Sequence, residues 1–317
     1  NQIFGPDIAG LRGKTVRRKL EHVVVDYVAI PPDLLARHQN VTLTADLMFV
    51  NGLPFLITLS RGINLVTIEF ASTRTAANLT KLLSRVVVAY AAAGLKVQTV
   101  LMDMEFQPLQ DLMPSIVVNT TAANEHVAEI ERRIRVVKER ARAIINTLPY
   151  PRLPKRMVVE LMYFVTMWLN SFPVKVGISS KYSPREILKR HRLDGRLHCR
   201  AEFGAYCEVH DEPSPSNTMQ RRTHAAISLG PTGNLQGSYK FLCLSTGRKL
   251  TRRNFTPIAG VPKTILDAVD KIAAKENRPT GLSFKNRVNE SFVFSNDDLD
   301  EVLIERPAAP YPDIPNE

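Results

Sequence analysis

The sequence predicts a mixed α/β core followed by a small antiparallel β domain, and three patterns support this prediction. Alternating apolar and polar residues over 41–60 surround the pair Asn51-Gly52, which is the strongest short signal for a β-hairpin. Helical periodicity then covers 75–94, and a β-branched run typical of a strand covers 95–106. The later part of the chain changes to short strands separated by turns, a spacing typical of a small β-barrel or curled sheet.

The remaining elements complete the order of the core. A third strand is predicted over 65–72, directly after the hairpin, and a strongly basic helix precedes Pro149. Further helices are predicted over about 155–171, from Ser183-Pro184, and over 263–275. Hairpin, third strand, helix, strand and helix is the order in which a ribonuclease-H-like fold begins, although other α+β folds share it.

The charge of the chain points to a polyanionic partner. Its 317 residues carry 42 Lys and Arg against 31 Asp and Glu, a net charge of +11. Residues 261–317 hold 7 basic and 11 acidic side chains, which leaves 35 against 20 in residues 1–260. Nucleic acid is the commonest partner of such a basic body, although other phosphate-binding proteins share the bias.

Cysteine content and hydropathy point to a reduced intracellular setting. The three cysteines, Cys199, Cys207 and Cys243, cannot all pair and lack the spacing of a zinc site. The longest apolar run, 157–169, contains Glu160 and is too short to span a bilayer. We therefore expect an intracellular protein, and the chain reads as a segment of something longer.

Three carboxylates stand out as candidate functional groups. Asp46 interrupts the first strand, where an acid is costly unless it is paired, solvated or bound to a cation. Asp103 ends the later strand, the place where ligands gather in α/β sheets. At 100° per residue, Glu131 lies on the border of the apolar stripe of the basic helix. Taken singly, each has an ordinary alternative: a solvated strand face, a polar strand end, and a salt bridge from Glu131 to Arg135.

A basic cluster follows Glu131. Residues 132–156 hold nine basic side chains and one acidic side chain. This pattern favours contacts with nucleic-acid phosphates, and its alternative is a solvated basic face. The predicted phosphate-binding residues are Arg135, Lys138, Arg142, Arg152, Lys155 and Arg156.

Together these features resemble the integrase catalytic core of copia-type retrotransposons, within the retroviral-integrase superfamily. The motifs that carry the resemblance are FGPDIAGLRGKTVRR (4–18), DMEF (103–106), ERRIRVVKE (131–139), FVTMWLNSFP (164–173), SPREIL (183–188), FGAYCEVH (203–210) and ISLGPTGNLQGSYKFLCLSTGRKLTRRNF (227–255). Two departures concern the segment before the basic helix. Asp103 and Glu131 are 28 positions apart, against about thirty-five in the family. Met104 also replaces the glycines that follow the strand-end Asp.

The resemblance implies a function in DNA integration. Asp46, Asp103 and Glu131 would be the catalytic residues and would hold Mg²⁺ or Mn²⁺ for 3′-end processing and strand transfer on DNA. A catalytically degenerate nucleic-acid-binding relic and a metal-dependent nuclease of the same fold are the alternatives. The resemblance also implies a homo-oligomer, part of a longer Pol polyprotein of a divergent protist-like branch, in the nucleus or a virus-like particle.

The domain organisation follows from these assignments. We expect a ribonuclease-H-like mixed sheet with flanking helices, then a small C-terminal β-barrel. The predicted parts are a pre-integrase remnant or linker (1–38), the integrase-like core (39–192), the barrel (193–260), and a helix with an acidic linker (261–317).

Overall fold

The structure is a computed structural model that describes residues 7–13, 27–103, 106–120, 128–210 and 219–284. Its helices are α1 (Ile8–Gly13), α2 (Pro32–Arg37), α3 (Ala76–Ala92), α4 (Leu109–Leu112), α5 (Ala128–Ile145), α6 (Lys155–Leu169), α7 (Pro184–Lys189), α8 (Gly195–His198) and α9 (Lys263–Lys275). Its strands are β1 (Asn40–Val50), β2 (Leu53–Ser60), β3 (Val66–Phe70), β4 (Lys96–Met102), β5 (Val117–Thr120), β6 (Tyr206–His210), β7 (Thr223–Pro231), β8 (Tyr239–Cys243), β9 (Lys249–Arg252) and β10 (Phe255–Pro257).

The first sheet has five strands in the order β3-β2-β1-β4-β5. β1, β2 and β3 pair antiparallel, whereas β4 and β5 run parallel to β1. A parallel strand needs a crossover connection, and α3 supplies the one between β3 and β4. This order and these directions are those of the ribonuclease-H-like fold, so the predicted fold class of the core is confirmed.

Helices cover both faces of this sheet, as the alternation of β1 requires. Leu43, Ala45 and Leu47 point into a core shared with α3. Met48 and Val50 point to the other face, into a core shared with α5 and α6. Because side chains alternate along a strand, the even-numbered residues of β1 all face the α5 side.

Local sequence explains how the elements begin and turn. Asn51 and Gly52 adopt φ values of 49° and 73°, the left-handed conformation that a two-residue hairpin requires. Ser183 accepts a hydrogen bond from the backbone of Glu186, whose side chain accepts one from the backbone of Ser183. This capping box satisfies two amides at the start of α7.

The second sheet is antiparallel and strongly curled, in the order β10-β6-β7-β8-β9. The ring of Phe255 on β10 lies 4.8 Å from that of Tyr239 on β8, although two strands separate them in the sheet. Within the described residues β9 and β10 do not pair with each other. The predicted barrel is thus observed as a curled five-stranded sheet around an aromatic core.

Buried ion pairs join the second sheet to its neighbours. Glu160 of α6 is 1% exposed and accepts hydrogen bonds from Lys240 (2.8 Å) and Lys249 (2.9 Å). Glu208 of β6, fully buried, accepts one from Arg12 of α1 (2.7 Å). Because each carboxylate lies on one unit and its cations on another, these pairs fix how the units pack.

Candidate nucleic-acid interface and carboxylate pair

Asp46 and Asp103 lie on neighbouring strands and on one face of the first sheet. β1 and β4 run parallel with Thr44 opposite Leu101, the last pair of the register, and Asp103 directly follows the end of β4 at Met102. Neighbouring strands are about 4.8 Å apart. Met48 and Leu101 both pack in the cluster that α5 covers, so the two carboxylates face α5. The strand pairing therefore favours a position of Asp103 near Asp46, and their convergence stays a prediction.

The cation that faces this pair is Lys138, in the middle of α5. Lys138 is 6% exposed, and α5 packs directly against β1 and β2. Burial lowers the pKa of Lys138, the negative charge of Asp46 opposes part of that decrease, and the nearby Arg142 adds to it. The carboxylate of Asp46 also accepts a hydrogen bond from the backbone N–H of Leu47 (2.6 Å). The positive charge of Lys138 thus opposes the negative charge of Asp46, a role that the helical pattern did not predict.

Glu131, the third predicted carboxylate, lies in the first turn of α5 and is exposed. It precedes Lys138 by seven residues, or about 10 Å along the helix axis, on nearly the same side of the helix. Its neighbour Glu129 pairs with Arg61 (2.8 Å), beyond the end of β2. The start of α5 is therefore anchored beside the beginning of β1, while its middle lies over Asp46.

The described residues supply only part of the ligand set that a divalent metal ion needs. Among the residues that the structure describes, no three His, Cys, Asp or Glu side chains come close enough to hold a metal ion. Asp46 and Asp103 offer the oxygen ligands that Mg²⁺ and Mn²⁺ prefer. The third ligand that the resemblance implies, Glu131, does not join such a group. The metal site stays a prediction.

The predicted phosphate-binding residues of α5 differ in their exposure. Arg142 is exposed, Arg135 is half-buried, and Lys138 is buried. The ring of Phe284 explains the burial, since it lies 5.6 Å from the ammonium of Lys138 and 5.8 Å from the guanidinium of Arg142. A phosphate can therefore approach Arg142 directly, whereas Lys138 lies under an aromatic side chain.

The predicted residues beyond α5 divide in the same way. Arg152 forms two hydrogen bonds with Asp270 of α9, at 2.8 and 2.6 Å. The ammonium of Lys155 lies 4.9 Å from the ring centre of Phe70, and Arg156 is exposed. Arg152 therefore has a structural partner, and Lys155 and Arg156 are the accessible cations at the start of α6.

Sequence reasoning missed the segment that covers the end of α5. Residues 278–284 follow α9 and lie over the turn between β1 and β2, where the backbone N–H of Asn51 donates to Ser283 (2.8 Å). In the sequence, Asn51 indicated only the hairpin turn between β1 and β2. The contact with Ser283 spans more than two hundred residues of sequence, and no local pattern indicates it.

Comparison with known proteins gives no family assignment. No family profile matches the chain, and no curated protein matches it. Among solved structures, the catalytic core domain of BIV integrase is similar, with 16% sequence identity and a TM-score of 0.34 over 47% of this chain and 93% of that chain. A likeness of this size does not establish kinship, so the fold assignment rests on strand order and direction.

The described residues also contain no helix that is both long and apolar enough to cross a membrane. All three cysteines are unpaired thiols, two of them buried.

Proposed function

We propose that this chain is an integrase-like DNA-binding protein whose α5 lies along the DNA backbone. The observation that supports this proposal is the position of α5. It starts a stretch with nine basic residues against one acidic residue, and it covers the face of the first sheet to which the even-numbered residues of β1, Asp46 among them, point. Ligand sites of α/β sheets gather at the carboxyl ends of parallel strands.

The chemistry of these side chains favours backbone contacts over base reading. Arginine and lysine on a helix face neutralise phosphates, and such contacts position a duplex without carrying sequence information. We therefore expect low sequence specificity and an affinity that falls steeply with salt. The accessible contacts are Arg135 and Arg142 on α5, with Lys155 and Arg156 at the start of α6.

A pair of matched double variants tests the proposal. Arg135→Gln with Arg142→Gln removes two cations from α5, whereas Lys81→Gln with Lys96→Gln removes two exposed cations away from it. Fluorescence anisotropy with a labelled duplex measures the affinity of each. We expect the first variant to bind about tenfold more weakly and its log–log salt slope to fall by about 2. Equal losses in both variants would contradict a dedicated α5 surface.

DNA strand transfer is the second candidate function, and the positions of Asp46 on β1 and of Asp103 after the neighbouring strand favour it. With Glu131 as the third ligand, these residues would hold Mg²⁺ or Mn²⁺, which would supply activation of the attacking oxygen and stabilisation of the leaving oxygen. In the chain itself, Asp46 on β1 and Asp103 after the neighbouring strand β4 would supply the carboxylates, and the cations of α5 would orient the DNA beside them.

An end-joining assay separates the candidates. The chain is incubated with a labelled DNA end, a plasmid and Mg²⁺ or Mn²⁺, next to Asp46→Asn, Asp103→Asn and Glu131→Gln. Asp111→Asn, an exposed residue of α4, is the matched control. Joining that only the control retains supports an integrase. Cutting without joining supports a nuclease, and binding without either reaction supports a DNA-binding relic.

The wider context belongs to the same proposal. A copia-type origin, a longer Pol polyprotein, a homo-oligomer, and a place in the nucleus or a virus-like particle are all implied by the motifs described above. Sedimentation of the purified chain with and without DNA tests the oligomer, since a monomer in both conditions would contradict it.

A further inference from the structure

A C-terminal segment, residues 278–284, is fastened to the hairpin turn of the core. The backbone groups and the side-chain amide of Asn51 all form hydrogen bonds with this segment. Its backbone N–H and its carboxamide N–H donate to the carbonyls of Ser283 (2.8 Å) and Gly281 (3.1 Å). Its side-chain oxygen accepts from Ser283 (2.6 Å), and its backbone carbonyl accepts from Arg278 (2.9 Å). Four hydrogen bonds around one buried residue fix where the segment ends.

The end of the C-terminal segment lies on the DNA-binding side of α5. Phe284 is 8% exposed and belongs to the core cluster that α5 helps to form. Its ring is close to the charged groups of both Lys138 (5.6 Å) and Arg142 (5.8 Å). Cations beside an aromatic ring are attracted by the negative face of its quadrupole.

Access to Lys138 depends on this ring. Lys138 is 6% exposed, so little of the residue is open to a phosphate oxygen while Phe284 stays in place. A direct hydrogen bond to phosphate needs a donor–acceptor distance of about 2.8 Å. Phe284 must therefore move before DNA can contact Lys138 or approach Asp46 from that side.

The sequence that follows Phe284 carries a charge opposite to that of α5. Residues 285–317 hold eight acidic and three basic side chains, and they follow directly after Phe284. A tethered acidic segment has a high effective concentration at a basic helix and competes with other polyanions there. The acidic stretch is therefore joined in sequence to a residue that lies beside the cations of α5.

These observations lead to one inference, which rests on the proposed DNA-binding function. We propose that residues 278–284 are an intramolecular competitor of DNA that masks Lys138 and the adjacent end of α5. Phe284 leaves Lys138 when DNA binds. The chain therefore binds DNA more weakly than it would with Lys138 and this end of α5 uncovered.

Hydrogen exchange of the Ser283 amide tests the displacement directly. In the free chain this amide donates to Asn51 and is expected to be protected. Saturating duplex DNA is expected to accelerate its exchange about tenfold, while amides of β1 keep their protection. Unchanged exchange at Ser283 in a chain shown to bind DNA would overturn the inference.

Two variants of Phe284 test the competition. Phe284→Ala removes the ring. Phe284→Leu keeps an apolar side chain but removes the cation–ring contacts. The second variant keeps the test valid if Phe284→Ala fails to fold. We expect both to bind a labelled duplex about three- to tenfold more tightly than the unchanged chain. Unchanged affinity in a folded variant would overturn the competition.

The outcomes separate this inference from the function on which it rests. If the unchanged chain binds DNA and both variants bind equally well, only the competition fails. If neither the unchanged chain nor the variants bind DNA at low salt, the proposed function fails, and the inference fails with it. Binding that appears only in the variants supports both.

Discussion

Lys138 connects the two halves of the candidate site at the level of single residues. Its position on a basic helix predicted a phosphate contact, but the structure buries its ammonium between Phe284 and the face that carries Asp46. A buried lysine is tolerated when a carboxylate opposes its charge, and Asp46 supplies that carboxylate.

The first prediction concerns this pair of charges. Because the charge of Asp46 opposes the lowering of the Lys138 pKa by burial, Asp46→Asn is expected to lower that pKa further. An NMR titration of the Lys138 side chain measures the change. Asp111→Asn, an exposed residue of the separate helix α4, is the control and is expected to leave the pKa of Lys138 unchanged. No difference between the two variants would contradict the pairing.

Glu160 supports the second prediction. Burial alone would raise its pKa, but Lys240 and Lys249 hold it below the ordinary value of 4.5. Glu160→Gln removes the charge that both lysines contact. We expect a loss of about 2–3 kcal/mol in the free energy of unfolding, less than for a wholly buried pair because both lysines reach solvent. Urea denaturation measures it, with Glu139→Gln on the exposed side of α5 as the control.

The pH dependence of this effect has a definite sign. The pKa of Glu160 is lower in the folded chain than in the unfolded chain, so its contribution is complete above the ordinary value of 4.5. The contribution is lost as the pH falls through the lower, folded-state pKa. The stability difference between the unchanged chain and Glu160→Gln is therefore expected to shrink in acid, and a difference that grows in acid would contradict the assignment.

At the level of elements, the contact between α6 and β7 decides how the second sheet sits on the core. Gly230 of β7 has a φ of +88°, and the ring of Phe164 on α6 occupies the place where a Cβ would project. This glycine therefore serves both a left-handed backbone conformation and a close helix–strand approach. Glu160 of α6 joins the same sheet through charge, by its hydrogen bonds with Lys240 of β8 and Lys249 of β9.

A matched pair of alanine substitutions separates the two roles of Gly230. Gly247 shares the left-handed conformation, with a φ of +65°, but has open space at its Cβ position. Gly247→Ala is expected to cost about 1 kcal/mol for the backbone alone. Gly230→Ala is expected to cost about 3 kcal/mol, because Phe164 must also move. Thermal denaturation measures both, and equal costs would contradict the close approach.

The elements with strong local signals could be predicted from the sequence. The alternation over β1 and β2, the Asn51-Gly52 turn and the apolar stripe of α5 are all observed. The short elements α4 and β5 carry no comparable signal, because a strand of four residues shows too little periodicity. The second sheet curls but does not close into a barrel within the described residues. This depends on packing of its aromatic core between residues far apart in sequence, which no local sequence pattern reveals.

The candidate site could be predicted in part, and the reason is geometric. Asp46 was predicted within the first strand and Asp103 at the end of the later strand, and β1 and β4, which pair in parallel, have these bounds because strand alternation is readable in sequence. The position of Glu131 depends on how far α5 is shifted along the sheet, which helical periodicity does not determine. The burial of Lys138 depends on Phe284, more than a hundred residues away in sequence.

At the level of the whole molecule, charge is distributed to suit a duplex on one layer of the core. The basic residues from α5 to the start of α6 lie on one face of the first sheet, whereas α3 lies on the other face. The acidic stretch follows the segment that ends beside α5. This arrangement gives an oriented, salt-sensitive surface together with a competitor in the same chain.

Site-specific photo-cross-linking tests the central claim most directly. A photoreactive benzoyl-phenylalanine replaces Arg140 on the exposed side of α5 in one variant and Val88, an exposed residue of α3, in the other. The chain is irradiated with a labelled duplex at low and at moderate salt. The account predicts a cross-link at position 140 that weakens with salt, and none at position 88. Equal cross-linking at both positions, or cross-linking at 88 alone, would contradict it.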